Sequence, residues 1–277
     1  MGKKTSPYTP ERIDDLVAKI SGSRKYKHLH IPPETVRDLV QQAASRGIPA
    51  VDIEKVVREK MHNLVAPYLG DPDYGKLKTE LSSLPENMDS PELKEWCLAV
   101  LRTHASTRER IPLLDKFYTR IFEYTAKPRS ILDLACGLNP FSIPWMNLEK
   151  DVRYHAFDLH QPRIDLVSSF LAHVGQKGTG IHADILVQPP PQKADVAFFF
   201  KEAHRFDQRQ PGINRAFFQA IPVKCLLVSL PTASLTGRRS MLDQDRRLIE
   251  QAVSGLPWNV REILFENEIV FCIEKAI

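Results

Sequence analysis

Apolar residues recur every three or four positions through the first 129 residues, which is the spacing of amphipathic helices. Thr9-Pro10-Glu11 is typical of a helix N-cap followed by the first turn, and Gly47 is typical of a helix end. The pattern predicts five helices, near residues 10–20, 33–46, 51–69, 91–103 and 107–124. Lys127-Pro128-Arg129 then predicts a linker.

From residue 130 the pattern changes to short apolar runs that alternate with helical stretches. Seven strands are predicted at 131–134, 154–158, 180–184, 194–200, 225–230, 261–266 and 269–274, with helices near 140–148, 162–173, 211–220 and 241–254. Alternation of this kind favours a mostly parallel sheet covered on both faces, and the short gap at Asn267-Glu268 favours a hairpin. This order is typical of the α/β, Rossmann-like methyltransferase fold that uses S-adenosylmethionine (SAM). The sheet is seven-stranded and mostly parallel, with a terminal antiparallel hairpin.

The change of pattern divides the chain into two predicted domains. Residues 1–129 form an N-terminal all-α region, with a small basic subdomain over 1–70 and core-packing helices over 71–129; residues 130–277 form the α/β domain. Residues 1–60 hold 12 Lys or Arg against 8 Asp or Glu, whereas the remainder is balanced. The whole excess charge of +4 therefore lies at the N-terminal end, which indicates a polyanionic partner as an alternative to ordinary solvated surface.

Composition narrows the class of protein. Apolar residues make up 43% and charged residues 26%, as in soluble domains, and no apolar run is long enough to cross a membrane. A cytoplasmic protein is expected, since the N-terminus carries no signal-peptide pattern. Four scattered cysteines predict reduced thiols and no metal site. A monomer is expected, because no feature indicates an obligate dimer.

Three acids lie at or near successive predicted strand ends, where doubly wound sheets bind ligands. Asp133 lies in the first strand, Asp158 ends the second and Asp184 ends the third. A carboxylate in the Asp158 position is suited to a ribose diol, whereas Asp184 suits an adenine amino group with the N–H of Ile185 beside it. Gly137 lets the backbone approach the ligand closely.

The turn after the first strand, A-C-G-L-N-P at 135–140, excludes a phosphate cradle, because it has one glycine and matches neither the dinucleotide nor the P-loop pattern. An adenosine ligand without phosphate fits better, and SAM is such a ligand. Cys136 is interpreted as a packing residue, since no base lies near it in sequence.

The residues after the fourth strand indicate the class of methyl acceptor. FFFKEAH at 198–204 replaces the loop used for methylation of amino groups, and no cysteine pattern for attack on cytosine is present. An acceptor that is already nucleophilic, such as guanine N7, needs no general base, only alignment with the methyl sulfonium. Lys201 is the candidate for positioning the substrate, with an ordinary exposed lysine as the alternative.

Several segments resemble the aminoglycoside-resistance 16S ribosomal RNA methyltransferases, which methylate N7 of the decoding-site guanine(1405). They are HASTRER (104–110), ILDLACGLNP (131–140), Lys201 after an aromatic run, SLPTASLTGR (229–238) and NEIVFCIEK (267–275). SRKYKHLHIPPETVRDLV (23–40) resembles the RNA-binding extension of that family. The chain departs from the family at Ala233, in GRRSM (237–241) and at Glu202, all on the substrate side.

The resemblance implies roles for individual residues. Arg110 would hold the SAM carboxylate, and the rest of the predicted cofactor site comprises His104, Ser106, Glu109, Asp133, Ala135, Gly137, Asp158, Asp184 and Ile185. Ribosomal RNA would be bound by Arg24, Lys25, Lys27 and Arg37. Arg238, which matches a position of the family, and Arg239, which is added here as a further candidate, would supply positive charge on the substrate side.

The leading hypothesis is a guanine(1405)-N7 methyltransferase that uses SAM on the 16S rRNA of assembled 30S subunits and confers aminoglycoside resistance. The target base is expected to leave its stack to reach the methyl group. Two alternatives stay open at this stage. One is a diverged methyltransferase for another RNA position or a small molecule, and the other is a SAM-binding ribosome factor without catalysis.

Overall fold

The computed structural model describes residues 9–24, 27, 30–65, 71–232 and 241–276, without the side chain of Val65. Helices α1 (Pro10–Ser21), α2 (Pro33–Ser45) and α3 (Ile53–Val65) form an N-terminal unit, and α1 begins where the hydroxyl of Thr9 accepts the N–H of Arg12. Their apolar stripes enclose a small core that includes Val17, Ile20, Val36, Leu39, Val40, Ile53, Val57 and Met61. These three predicted helices are confirmed, with 66–69 lying outside the described residues. Within the described ranges no helix is long and apolar enough to cross a bilayer.

Four helices connect this unit to the sheet: α4 (Tyr74–Leu81), α5 (Pro91–Arg102), α6 (Ala105–Arg108) and α7 (Leu114–Thr125). The single helix predicted over 107–124 is wrong. A 3₁₀ turn at Ile111–Leu113 separates α6 from α7, because Pro112 has no N–H to continue an α-helix. Helix α4 was not predicted. It has eight residues and begins where Asp73 caps the N–H of Lys76.

The α/β domain contains the predicted seven-stranded sheet. Its strands are β1 (Ser130–Leu134), β2 (Arg153–Asp158), β3 (Gly178–His182), β4 (Ala194–Phe200), β5 (Val223–Pro231), β6 (Asn259–Leu264) and β7 (Glu268–Glu274). They lie in the order β3-β2-β1-β4-β5-β7-β6, and β7 runs antiparallel to both of its neighbours. The mostly parallel sheet with a terminal hairpin is therefore confirmed, with β6 at the edge.

Helices cover both faces of the sheet, because neighbouring residues of β4 point to opposite sides. Phe198 packs with α7 and α8 (Gln161–His173), whereas Phe199 packs with α9 (Ala203–Arg209) and α10 (Ile213–Ala220). Helix α11 (Leu242–Val253) lies on the Phe199 side. Two predictions need correction here. Asn139–Trp145, which contains Pro144, is a 3₁₀ segment rather than an α-helix, and α9 was not predicted.

Strand β3 ends two residues earlier than predicted, at His182, so Asp184 lies in the following turn rather than in the strand. The physical reason is a turn that begins at Asp184, whose carbonyl accepts the N–H groups of Val187 and Gln188 at 3.0 and 2.8 Å. The strand itself packs closely on α8, since a Cβ on Gly180 would lie 2.7 Å from the carbonyl oxygen of Ile164. The shift leaves Asp184 at the same edge of the sheet as the ends of β1 and β2.

Candidate functional site

A cavity of about 260 Å³ lies at the carboxyl edge of the parallel strands. The turn after β1 and the residues after β2, β3 and β4 form its floor, and α9 forms one side. Residues of α2 and α3, among them Leu39, Lys60 and Leu64, complete the wall opposite the sheet. The N-terminal unit therefore contributes directly to the cavity.

The turn after β1 is held in a left-handed conformation at Ala135 (φ 52°) and Gly137 (φ 53°). A Cβ on Gly137 would meet no described atom within 4 Å, since the residue faces the open cavity. The N–H of Cys136 donates to the carbonyl of Phe157 at 2.8 Å, which ties the turn to β2. Burial raises the pKa of the Cys136 thiol well above its usual value, so the thiol is protonated and inert.

Asp158 is 4% exposed, and its carboxylate is oriented before any ligand binds. It accepts the N–H of Gly137 at 3.0 Å, the N–H of His160 at 2.9 Å and Nη1 of Arg163 at 3.1 Å. Two of these donors are main-chain groups, so the orientation depends little on flexible side chains. The same carboxylate lines the cavity, where it can accept a hydroxyl hydrogen.

Arg163 extends this arrangement beneath the cavity. Its Nη2 lies 2.8 Å from Oδ2 of Asp71, and its Nε donates to the hydroxyl of Tyr74 at 3.1 Å. Since Arg163 is 1% exposed, its charge is balanced by two buried carboxylates rather than by water. The start of α4 is thereby fixed to the end of β2.

Asp184 is 2% exposed and also lines the cavity. Its Oδ1 accepts the N–H of Leu186 at 3.0 Å. Its Oδ2 lies 2.7 Å from Nη1 of Arg209, but the angles of this ion pair are not those of a hydrogen bond, and Oδ2 has no hydrogen-bond partner among the described residues. Arg209 in turn donates to Oδ2 of Asp38 in α2 at 2.8 Å. Arg209 thus connects the N-terminal unit to the third strand end.

Arg110 lines the cavity from the connection between α6 and the 3₁₀ turn, and it is buried at 3% exposure. Its guanidinium forms a two-point contact with Glu268 of β7, donates to Oδ1 of Asn139 at 2.8 Å and lies between the rings of Phe117 and Phe200 at about 4.5 Å. The charge of Arg110 holds the pKa of Glu268 below its usual value although burial opposes this. The fork is therefore rigid, with its position fixed across the sheet.

His104 and Ser106 form the rest of the α6 side. Nδ1 of His104 and Oγ of Ser106 lie 2.7 Å apart, and both residues line the cavity. Burial, together with the charge of Arg163, lowers the pKa of His104, so the ring is neutral near pH 7. These two side chains are therefore polar and uncharged.

Three predicted residues lie outside the cavity lining. Asp133 is beneath the turn, where it accepts Nδ2 of Asn139 at 2.9 Å and the hydroxyl of Tyr154 at 2.5 Å; burial raises its pKa to about 7. Nζ of Lys201 lies 2.7 Å from Oε2 of Glu109 and 3.2 Å from the carbonyl of Ser106. Asp133 therefore positions Asn139, and the Lys201–Glu109 pair ties the end of β4 to α6.

Only some of the predicted RNA-binding residues lie within the described part of the structure. Arg24 and Lys27 are exposed, and Arg37 pairs with Asp14 of α1. Lys25, Arg238 and Arg239 lie outside the described residues. The described residues next to the last two, Thr232 and Met241, are joined by a hydrogen bond from the N–H of Met241 to the carbonyl of Thr232 at 3.0 Å.

Sequence reasoning missed Asn139, Arg163, Arg205 and Arg209, together with the cavity residues of α2 and α3. Asn139 was within the quoted motif and was the one of these with a detectable signal. The others act through partners distant in sequence, such as Asp71 for Arg163 and Asp38 for Arg209.

The donors and acceptors fit SAM. Asp158 presents an acceptor for the ribose, and Asp184 presents a buried carboxylate for an amino group, with Ile185 beside it in the cavity lining. The open space over Gly137 leaves room for the ligand chain. Cations near a phosphate-binding turn are not required, since SAM carries no phosphate.

Comparison with known proteins agrees with this geometry. Residues 22–272 match the family model described as "Ribosomal RNA methyltransferase (FmrO)". A 16S rRNA (guanine(1405)-N(7))-methyltransferase of Micromonospora rosea is 32% identical, covering 96% of this chain and 97% of the relative. One of Micromonospora echinospora is 29% identical and covers 98% and 100%, respectively.

Solved structures are similar over nearly the whole chain. An rRNA methylase from Escherichia coli has a TM-score of 0.73 at 26% identity, covering 95% of this chain and all of that one. The 16S rRNA methyltransferase RmtF in complex with S-adenosyl-L-homocysteine has a TM-score of 0.76 at 24% identity and covers 97% and 100%, which shows a shared fold. The resemblance found in the sequence is confirmed: the chain belongs to the FmrO family of ribosomal RNA methyltransferases.

Proposed function

We propose that this protein transfers a methyl group from SAM to N7 of guanine(1405) in 16S rRNA of the assembled 30S subunit, and that the product confers aminoglycoside resistance. The observation that carries the proposal is the 32% identity to a guanine(1405) N7-methyltransferase over 96% of this chain. At that coverage the matched region includes most of both the N-terminal unit and the α/β domain.

Bound SAM supplies an electrophilic methyl group on a sulfonium. Asp158 accepts hydrogen bonds from the ribose, Asp184 and the N–H of Ile185 hold the adenine, and Arg110 faces the cofactor carboxylate. Because these groups are buried and held by neighbours, they orient the ligand with little rearrangement. His104 and Ser106 close the α6 side of the same cavity.

The chain's own chemistry is alignment rather than proton transfer. Guanine N7 carries a free lone pair, so its attack on the methyl carbon requires no base. The neutral His104 and the inert Cys136 are consistent with that requirement. Lys201 contributes indirectly, because its ion pair with Glu109 holds the end of β4 against the α6 region.

The 30S subunit is the proposed partner of a monomeric enzyme. Arg24, Lys25, Lys27 and Arg37 would contact rRNA phosphates, and the segment with Arg238 and Arg239 would lie near the target base. A protein that reads the shape of folded RNA uses such phosphate contacts for position rather than for sequence.

The test uses purified full-length protein, labelled SAM and 30S subunits, followed by mass spectrometry of the 16S rRNA. We expect one methyl group at N7 of guanine(1405), and growth of cells that express the gene in the presence of aminoglycosides. A methyl group at another position supports the diverged methyltransferase. Binding of SAM and 30S without transfer supports the non-catalytic factor, and either result rejects the proposal.

A further inference from the structure

Glu202 is a carboxylate of the cavity that the cofactor contacts do not use. It lies two residues after the end of β4 and lines the cavity, and its side chain is 20% exposed. Its Oε1 accepts Nη1 of Arg205 at 2.9 Å, and no described residue donates to its Oε2. Oε2 is therefore available to a ligand in the cavity, and Oε1 keeps a second lone pair beside the one that accepts from Arg205.

The backbone before Glu202 is arranged to bring it there. Lys201 has a φ of 61°, a conformation that costs a residue with a Cβ about 1–2 kcal/mol. Its N–H still pairs with the carbonyl of Ser229 at 2.8 Å, so the strand continues to this residue and then turns sharply. As a result the Lys201 side chain points toward Glu109, and Glu202 faces the cavity. Strain of this kind is typical of functional sites.

Glu202 lies on the far side of the cavity floor from the predicted adenine site. In the sheet, β4 is adjacent to β1 on the side opposite to β2 and β3, so Glu202 and Asp184 flank the β1 turn from opposite directions. The cofactor contacts lie along β1, β2 and β3. The β4 side is then the side on which the methyl acceptor approaches, and Phe200 is part of the cavity lining there.

We propose that Glu202 recognises the target guanine, with its carboxylate accepting the N1–H and N2–H groups of the Watson–Crick edge. This inference rests on the proposed function. Guanine presents two adjacent donors on that edge, which match the two oxygens of a carboxylate, whereas adenine presents an acceptor at N1. The opposite edge, with N7, stays free to face the methyl group.

The same contact strengthens during the reaction. The N7 lone pair forms the new bond to the methyl carbon while the carbon–sulfur bond breaks, and its electron pair goes to sulfur. Positive charge moves from the sulfonium to the purine ring, and no proton leaves. The N1–H and N2–H groups become better donors as the ring becomes cationic, so a carboxylate opposite them favours the transition state over the bound substrate.

Neighbouring groups hold the carboxylate of Glu202 in position. Arg205 pairs with Oε1 and extends to the carbonyl of Leu64 in α3 at 3.4 Å. Burial raises the pKa of Glu202, with the charge of Arg205 opposing this and that of Asp158 adding to it. Glu202 therefore loses its charge at a higher pH than an exposed glutamate does, and a base contact that requires the carboxylate is lost as the pH falls.

The experiment compares wild type with E202Q and E202D, and with E250Q as a control on the exposed face of α11. SAM binding is measured by calorimetry, and methyl transfer to 30S subunits is measured between pH 5 and pH 8. We expect E202Q to lower kcat about tenfold to a hundredfold, in line with the loss of a two-point base contact. The Kd for SAM stays within twofold, E202D recovers part of the rate, and E250Q behaves as wild type.

The pH profile separates a base contact from a merely structural role. Wild-type kcat should decline as the pH falls through the raised pKa of Glu202, and that decline should be absent in E202Q. Weakened SAM binding in E202Q would assign the residue to the cofactor and overturn the inference, as would an unchanged kcat. If wild type itself transfers no methyl group to 30S subunits, the proposed function fails and this inference fails with it.

Discussion

The two walls of the cavity are built in different ways. The cofactor wall, which we define as Gly137, Asp158 and Asp184, holds buried carboxylates that accept main-chain N–H groups. Two of these groups lie two residues along the chain, and the third belongs to the turn after β1. The target wall, defined as Glu202 and Arg205, is held by a side-chain ion pair and by a carbonyl of α3, 141 residues distant in sequence.

The difference indicates that cofactor binding and target binding depend on different parts of the molecule. A wall oriented by its own turns is formed once the sheet has folded. A wall that reaches α3 is complete when the N-terminal unit is in place as well, and that unit carries the basic residues proposed to meet the ribosome. Cofactor binding is therefore expected to tolerate changes in the N-terminal unit that impair methyl transfer to 30S subunits.

The largest effect on stability is expected from breaking the buried Arg110–Glu268 pair, which supports both walls. Glu268 is fully buried, and its Oε2 also lies 3.9 Å from Nζ of Lys201. E268Q leaves the buried guanidinium without a countercharge, so the free energy of unfolding should fall by about 3–5 kcal/mol in urea titrations. Both walls should lose function together.

A matched control is E262Q, because Glu262 pairs with Arg246 on the surface of the neighbouring strand. Both partners are about 40% exposed, and removing such a pair costs about 0–1 kcal/mol. Equal losses of stability in E268Q and E262Q would contradict the view that the buried pair supports the cavity.

The second effect is confined to the cofactor wall. D158N keeps the shape of the side chain but removes its negative charge. That charge strengthens the hydrogen bonds from the ribose hydroxyls and balances the charge of Arg163. We expect the Kd for SAM to rise about tenfold to a hundredfold by calorimetry, since hydrogen bonds to a charged group contribute about 1.5–3 kcal/mol. D165N, on the exposed face of α8, is the control and should bind as wild type. If D158N bound SAM as tightly as wild type, the assignment of Asp158 to the ribose would be wrong.

Much of the cofactor wall was predictable from sequence because its parts are local. The motif 131–140 contains the strand, the left-handed turn and Asn139, and the acids at 158 and 184 follow buried runs of their own. Eight of the ten predicted cofactor residues line the cavity. The alternation of strands and helices likewise predicted the sheet, since each element repeats its own apolar period.

The rest could not be predicted because it depends on pairs that local patterns do not encode. Asp133 has the strand-end position of a ligand residue, yet Tyr154 and Asn139 draw it beneath the turn. Lys201 has the position of a substrate-binding residue, but its ammonium group donates to the carboxylate of Glu109 instead. Helix α9 was missed because it is short and charged, although it carries Arg205 and Arg209.

The smallest expected effect tests whether the two units are coupled through Arg209. D38N removes the charge that pairs with Arg209 across the units, whereas D14N removes a pair with Arg37 inside the N-terminal unit and serves as the matched control. Partly exposed pairs of this kind contribute about 0–1 kcal/mol, so kcat/KM for 30S subunits should fall up to about fivefold in D38N with SAM affinity within twofold. D14N should leave both constants close to wild type. If D38N instead weakened SAM binding as much as methyl transfer, Arg209 would belong to the cofactor wall through Asp184, and the distinction between a locally built cofactor wall and a target wall that depends on the N-terminal unit would fail.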